Sequence, residues 1–249
     1  MRGAVEATVG LPILRSRDVS WIAMESLCRQ VTDFRWELIV YEDGPDRVGQ
    51  ATIESYAPRL RDSGCVNLVY MTVSQRIPLS HKWHAMANVA ADSSVTFLMH
   101  GADDWSDMGR VARSHEFIQS GDEWVCNRSS YFYCRLTGRV VLVDFDRMTV
   151  PIRVGPHIAL RTDALRRIVP VPLARGNDMH VFASVRPDRV RRVESESLCT
   201  DGACGITDRS SWFGTTPPDF VRAYAGTKSV CDFIPEDLLP RLLSYRVTG

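Results

Sequence analysis

Two apolar runs rich in β-formers end abruptly in carboxylates, and this constrains the chain more than any other feature. Val95-Thr-Phe-Leu-Met-His-Gly-Ala-Asp-Asp-Trp105 stops at Asp103 and Asp104, and Trp36-Glu-Leu-Ile-Val-Tyr-Glu-Asp-Gly44 stops at Glu42 and Asp43. A buried strand that finishes in acidic residues places them at the carboxyl edge of a sheet, where open α/β sheets take their ligands. Adjacent carboxylates repel each other and need a cation or a basic partner. Two strands delivering acid to one edge therefore predict a site.

The surrounding pattern supports a parallel sheet. Strand signals at 7–14, 37–41, 66–73 and 95–100 alternate with helix signals at 20–30, 49–62, 80–91 and 107–119. The first helix has Asp18 or Ser20 as cap and an apolar face of Ile22, Met24, Leu27 and Cys28, and Ser63-Gly64 stops the second. Strict alternation implies parallel strands joined by right-handed crossovers. Beyond residue 122 the pattern changes. Strands at 124–135 and 139–144 flank a turn at Thr137-Gly138, a short strand at 157–160 leads into a helix at 162–168, and another helix fits 178–184. The stretch 199–228 reads as a long loop and 235–245 as a terminal helix. The fold class is thus α/β, a Rossmann-type mostly parallel sheet flanked by helices with a smaller antiparallel element. It is read as one domain with a first half at 1–121 and a second half with a C-terminal extension at 122–249.

With 30 basic and 30 acidic residues the formal charge is zero, which argues against a broad surface for nucleic acid or anionic membrane. Lys82 and Lys228 are the only lysines, and Lys82 lies beside the candidate site. The seven cysteines form no CxxC pair, and Cys199 and Cys204 lack a second ligand pair for zinc, so free thiols in a reducing compartment are expected. His81, His84 and His100 flank the site without HxxxH spacing. No signal peptide or membrane-length apolar run is seen, so a cytoplasmic location without membrane insertion is expected.

Shorter motifs carry a family likeness. Leu11-Pro-Ile-Leu14 ends the first strand, Ser26-Leu27 and Gln30 fall on the first helix, and Glu42-Asp43-Gly44 ends the second strand. Lys82, Ala85 and Asn88 precede Ala102-Asp103-Asp104, and Gly176-Asn177-Asp178 follows later. In this order and spacing the chain resembles the nucleotide-sugar glycosyltransferases with the GT-A fold, and within them glycosyltransferase family 2, over residues 1–185. The resemblance implies that Pro12, Leu14 and Arg15 line the nucleotide pocket. It implies that Glu42 and Asp43 receive the base, Asp43 accepting a uracil N–H, and that Lys82 and Asn88 belong to the donor site. Asp103 would grip Mn²⁺ or Mg²⁺ with Asp104 beside it, and His180 would add a late metal contact. Asp178 would be the general base of an inverting transfer. One departure stands out: the first acidic position of the family's Asp-x-Asp motif is Gly101 here.

The chemistry suits these residue types. A sugar–phosphate bond that breaks leaves a nucleoside diphosphate with added negative charge, which a divalent cation on hard oxygen ligands stabilises. Lys82 or Arg15 would add charge at the phosphates. The expected reaction moves a hexose from a UDP-linked donor to a hydroxyl on a glycan, a protein side chain, a small molecule or a modified DNA base. Plainer readings stand beside these. Asp178 also fits a helix N-cap, His180 a core or surface histidine, and Glu42 an exposed turn residue. Trp105 would line the sugar pocket or pack below it, and Trp212-Phe213 would form a lid or an apolar anchor. A nucleotidyltransferase shares strand-end carboxylates, but no glycine-rich phosphate loop follows the first strand. A catalytically silent GT-A member that only binds is the alternative that Gly101 keeps open.

Overall fold

Eight consecutive residues of one strand, three of them acidic, are buried. In the computed structural model, residues 4–13, 19–44, 48–134, 138–147, 157–171, 177–194, 197–200, 221–223 and 229–244 are described, with the backbone alone at 177–179 and 221–223. The first half runs β1 (Ala7–Ile13), α1 (Ser20–Leu27), β2 (Trp36–Asp43), α2 (Gln50–Glu54), α3 (Ala57–Asp62), β3 (Cys65–Val73), α4 (Leu79–Val89), β4 (Thr96–Met99), β5 (Asp104–Trp105) and α5 (Arg110–Gln119). The second half adds β6 (Trp124–Asn127), β7 (Ser129–Cys134), β8 (Arg139–Asp144), β9 (Ala159–Arg161), α6 (Thr162–Arg167), α7 (Asn177–Phe182), β10 (Val190–Val193), β11 (Leu198–Thr200), β12 (Val221–Ala223) and α8 (Leu239–Ser244).

The larger sheet has the order β10-β6-β9-β4-β1-β2-β3. β1 pairs in parallel with β2 and β4, β3 lies parallel outside β2, and β9 runs antiparallel to both β4 and β6. Chain progression reverses between β1 and β4, so the crevice outside their carboxyl ends is the switch point where such sheets bind ligands. The smaller sheet, β12-β8-β7-β11-β5, is antiparallel except for the β7–β11 pair. Apolar clusters cover both faces of the large sheet, with Trp36 and Trp124 fully buried. At the amino end of β2, Glu37 is kept in the core by hydrogen bonds from the Thr8 hydroxyl, the Asn67 amide and the Ala91 N–H.

Several elements differ from the sequence expectation for identifiable reasons. The run 95–105 is two strands in two sheets: β4 ends at Met99, the chain turns, and Asp104–Trp105 joins the small sheet as β5. The run 124–135 likewise splits at Arg128, whose N–H donates to Val193 and whose carbonyl accepts from Phe145. The helix expected at 49–62 breaks into α2 and α3 because Pro58 lacks an N–H and crowds the carbonyl four residues back. α1 is not amphipathic: all eight of its residues are buried. Trp21 and Ile22 pack with Trp105, Tyr133 and Leu198, while Ala23, Met24 and Leu27 join the large-sheet core, so the helix is clamped between the two sheets. The stretch read as a loop begins with β11 and contains β12. None of the described cysteines is in a disulfide. Among the described residues no helix is long and apolar enough to cross a membrane.

Candidate functional site

The carboxyl edge of β2 is closed by an ion pair. Asp43 is 2% exposed and Lys82, in the first turn of α4, 1%. The Lys82 ammonium pairs with Asp43 Oδ1 and reaches the Ile13 carbonyl at the end of β1, while Asp43 Oδ2 accepts the Ile77 N–H at 2.6 Å. Burial pushes the Lys82 ammonium below its ordinary value, and the Asp43 carboxylate pulls it back up. The Asp43 side chain has no exposed surface in this arrangement, with one carboxylate oxygen on Lys82 and the other on the Ile77 N–H.

Its neighbour does different work. Glu42, expected to be exposed, is fully buried: its carboxylate accepts the N–H groups of Val48 and Gly49 and the Tyr70 hydroxyl, tying the loop after β2 to the sheet. Pro12 lies in β1 opposite Tyr41. Asn88 is exposed in the last turn of α4, at the other end of the helix from Lys82, and the structure does not bring it to the carboxyl edge. Leu14, Arg15 and Gly176 lie outside the described residues, as do Trp212 and Phe213.

The acidic turn between β4 and β5 rests on a buried polar layer. Gln30 donates to the carbonyls of Ser26 and Asp107 and to the Ser106 hydroxyl, and accepts the Val111 N–H. This is why a polar residue suits that position of the first helix: it ties α1 to the chain just beyond the turn. The Arg110 guanidinium donates to the Met99 carbonyl at 2.6 Å and lies close enough to Asp104 and Asp107 to feel their charge. His100 donates from Nδ1 to the Gly101 carbonyl at 2.8 Å, which leaves Nε2 to accept from Ser106 at 3.3 Å.

Burial, and then the nearby Arg110 charge, push the His100 imidazole down to about 3. The sign of the consequence follows. Above about pH 6.5 both folded and unfolded chains carry a neutral His100, and the full stability is present. As pH falls below 6.5 only the unfolded chain gains the proton, so stability drops by up to about 1.4 kcal/mol per pH unit from this residue until pH nears the folded value. Urea midpoints measured from pH 7.5 to 5 should fall steadily, with His157 and His115, also pushed down by burial, adding in the same sense. His100→Asn should reduce that slope; an unchanged slope in the variant would remove His100 as a cause.

Asp103 is half-buried, and its carbonyl accepts both the N–H (3.3 Å) and the hydroxyl (2.5 Å) of Thr200 in β11. Asp104 folds back over Gly101: a Cβ at position 101 would stand 2.2 Å from Asp104 Oδ2. An aspartate at 101 is therefore incompatible with Asp104 in this position, which gives the departure from the family motif a steric counterpart. Asp104 also stands directly across from Cys199 in the β5–β11 pair. The Asp104 carboxylate, the Cys199 thiol and the His157 imidazole have ligand atoms within 4.8 Å of one another. Among the described residues this is the group competent to hold a metal, and it includes neither Asp103 nor His180. His180 instead hydrogen-bonds through Nε2 to the Val169 carbonyl. Asp178 lies near the start of α7, with its side chain outside what is described. Trp105 is buried in the apolar layer shared by α1 and the small sheet, so it packs there. His157, Cys199 and Arg110 were not singled out by sequence reasoning as site residues; no local spacing links them.

No family model matches the sequence, and no curated protein does. Solved structures do match. The crystal structure of S. aureus TarS 1-349 superposes with a TM-score of 0.59 at 16% identity, over 79% of this chain and 60% of that one. The same segment in complex with UDP gives 0.56 at 14% identity, again over 79% and 60%. The longer S. aureus TarS chain gives 0.55 at 15% identity, over 79% and 37%. The likeness thus spans 60% of the TarS 1-349 length, and at such identity it speaks to the fold. With its parallel sheet, switch point and second small sheet, this chain has the GT-A fold of the nucleotide-sugar glycosyltransferases.

Proposed function

We propose that this chain is a glycosyltransferase that moves a hexose from a UDP-linked donor to a hydroxyl acceptor. Residues 1–121 hold the donor and 122–249 shape the acceptor side. The observation that carries this reading is Asp43: a buried carboxylate at the carboxyl end of β2, next to the β1 strand that borders the switch point, anchored by Lys82 and the Ile77 N–H. A fixed acceptor of this kind suits the uracil N–H, which would reach it by displacing the chain that covers the carboxylate, and the similarly folded TarS segment is described in complex with UDP.

Asp103 fits a hard divalent cation, Mn²⁺ or Mg²⁺, by its donor chemistry: a half-buried carboxylate beside the crevice on a backbone pinned by Thr200. Asp104 fits that role less well, because its carboxylate folds over Gly101 toward nitrogen and sulfur donors. When bound, such a cation offsets the charge growing on the diphosphate leaving group. The chain's own residues then do the rest. Asp43 orients the base, and Gln30, Ser106 and Thr200 hold the acidic turn in place. Asp178 takes the proton from the acceptor hydroxyl as its oxygen attacks the anomeric carbon opposite the leaving diphosphate, which inverts the stereochemistry.

UDP release from a panel of UDP-sugars in Mn²⁺ tests the reading. Release with one sugar supports transfer, whereas tight nucleotide binding with no release from any sugar would favour a silent binding protein, the reading that Gly101 supports. Asp178→Asn should lower transfer by about 10²-fold or more. It should leave the melting shift caused by UDP intact, and retained turnover would take Asp178 out of the mechanism.

A further inference from the structure

We propose that Asp104, His157 and Cys199 form a binding site for one thiophilic divalent cation of the zinc class, separate from the oxygen-bound cation proposed at Asp103. The three residues come from three places in the fold: Asp104 from β5, Cys199 from its partner strand β11, and His157 from the approach to β9 in the large sheet. Their ligand atoms lie within 4.8 Å of one another. Cys199 Sγ and His157 Nε2 are 3.8 Å apart. In a tetrahedral site with Zn–S of about 2.3 Å and Zn–N of about 2.0 Å, sulfur and nitrogen stand about 3.5–3.6 Å apart, so this pair needs little movement and the Asp104 carboxylate would close in on it.

Other features of the site agree. His157 and Cys199 are 5% and 3% exposed, while Asp104 is half-buried. His157 is the one non-glycine residue among those described with positive φ, at 61°, and its Nδ1 is buried without a hydrogen-bond partner. The uncommon backbone conformation marks a position held by its surroundings; Nε2, which faces Cys199, would take the cation, and Nδ1 would keep its proton. The donor set decides the metal class: thiolate and imidazole favour zinc-like ions, whereas Mg²⁺ and Mn²⁺ prefer oxygen alone. Gly101 matters here, because only a residue without Cβ leaves the Asp104 carboxylate its place. The buried Arg110 guanidinium is a like charge nearby, set against Asp104, Asp107 and the Cys199 sulfur. Binding would release the Cys199 thiol proton to solvent. Such a cation would cross-link the two sheets beneath the acidic turn. The competing account is a plain thiol–imidazole contact at the same distance.

Cobalt distinguishes the two. The full chain, stripped with chelator, is titrated with Co²⁺ alone and followed by absorption. One equivalent should give a thiolate-to-cobalt charge-transfer band with the intense visible bands of a four-coordinate site, and Zn²⁺ should bleach both. Cys199→Ser should abolish the charge-transfer band. His157→Asn, which suits the positive φ, should weaken Co²⁺ binding by roughly tenfold or more. Asp104→Asn should weaken it too, which keeps the test decisive if Cys199→Ser folds poorly. Cys231→Ser, at an exposed cysteine, should keep the spectrum. Asp103→Ala should also keep it while losing the donor, so this site and the proposed transferase can fail separately. No charge-transfer band in the wild-type chain, or a band that survives in Cys199→Ser, would overturn the proposal.

Discussion

Asp103→Ala is expected to abolish the rise in melting temperature that a UDP-sugar and Mn²⁺ produce together, and to cut UDP release by about 10²- to 10³-fold, the range for losing a group that stabilises charge developing in the transition state. The reason is the position of the residue. Asp103 stands in the turn that leaves β4 at the switch point, its carbonyl is held by Thr200, and Gln30 and Ser106 brace the chain just beyond it. The carboxylate is thus presented from a fixed backbone, so removing it should cost binding and turnover with little loss of fold. Calorimetry and a coupled UDP assay on the same preparation would check this. Full donor binding and release in the variant would place the cation elsewhere.

Lys82→Met should be the most damaging single change to stability. It leaves Asp43 buried with only the Ile77 N–H for compensation, and breaking a buried ion pair from one side costs about 3–5 kcal/mol. For a chain of this size that lowers the melting temperature by roughly 10 °C. Removing both charges, as in Lys82→Met with Asp43→Leu, should recover most of the loss, because two apolar groups of similar size leave no uncompensated charge. The double variant should still fail to bind UDP, since no acceptor for the base remains. Thermal melts with and without UDP separate the two roles. Equal stability of Lys82→Met and wild type would mean that the pair is solvated in solution.

Much of the first half was legible in the sequence. Local patterns repeat at the periods that strands and helices impose, so β1 to β4 and the intervening helices lie where apolar runs and breakers put them. Asp43 and Lys82 were identifiable because each sits at the end of an element whose direction the alternation sets. Glu42 shows the limit. A carboxylate before Asp43-Gly44 reads as a turn residue, but the returning loop brings the N–H groups of Val48 and Gly49 over it, and Tyr70 reaches it from β3.

The sequence by itself determined the α/β class, the parallel core and the carboxylates at its carboxyl edge, because these depend on contacts within one element or between successive ones. Only the tertiary structure decided where continuous β-rich runs change sheet, at His100–Ala102 and at Arg128, since nothing local tells a strand which partner it will find. It alone decided that Asp104 leaves Asp103 for His157 and Cys199. Those three residues are far apart in sequence and meet only because β11 pairs with β5 while the chain entering β9 passes beside them. Metal-ligand spacing is readable in a sequence when one turn or one helix supplies the ligands, and it is lost when strand pairing between distant segments does so.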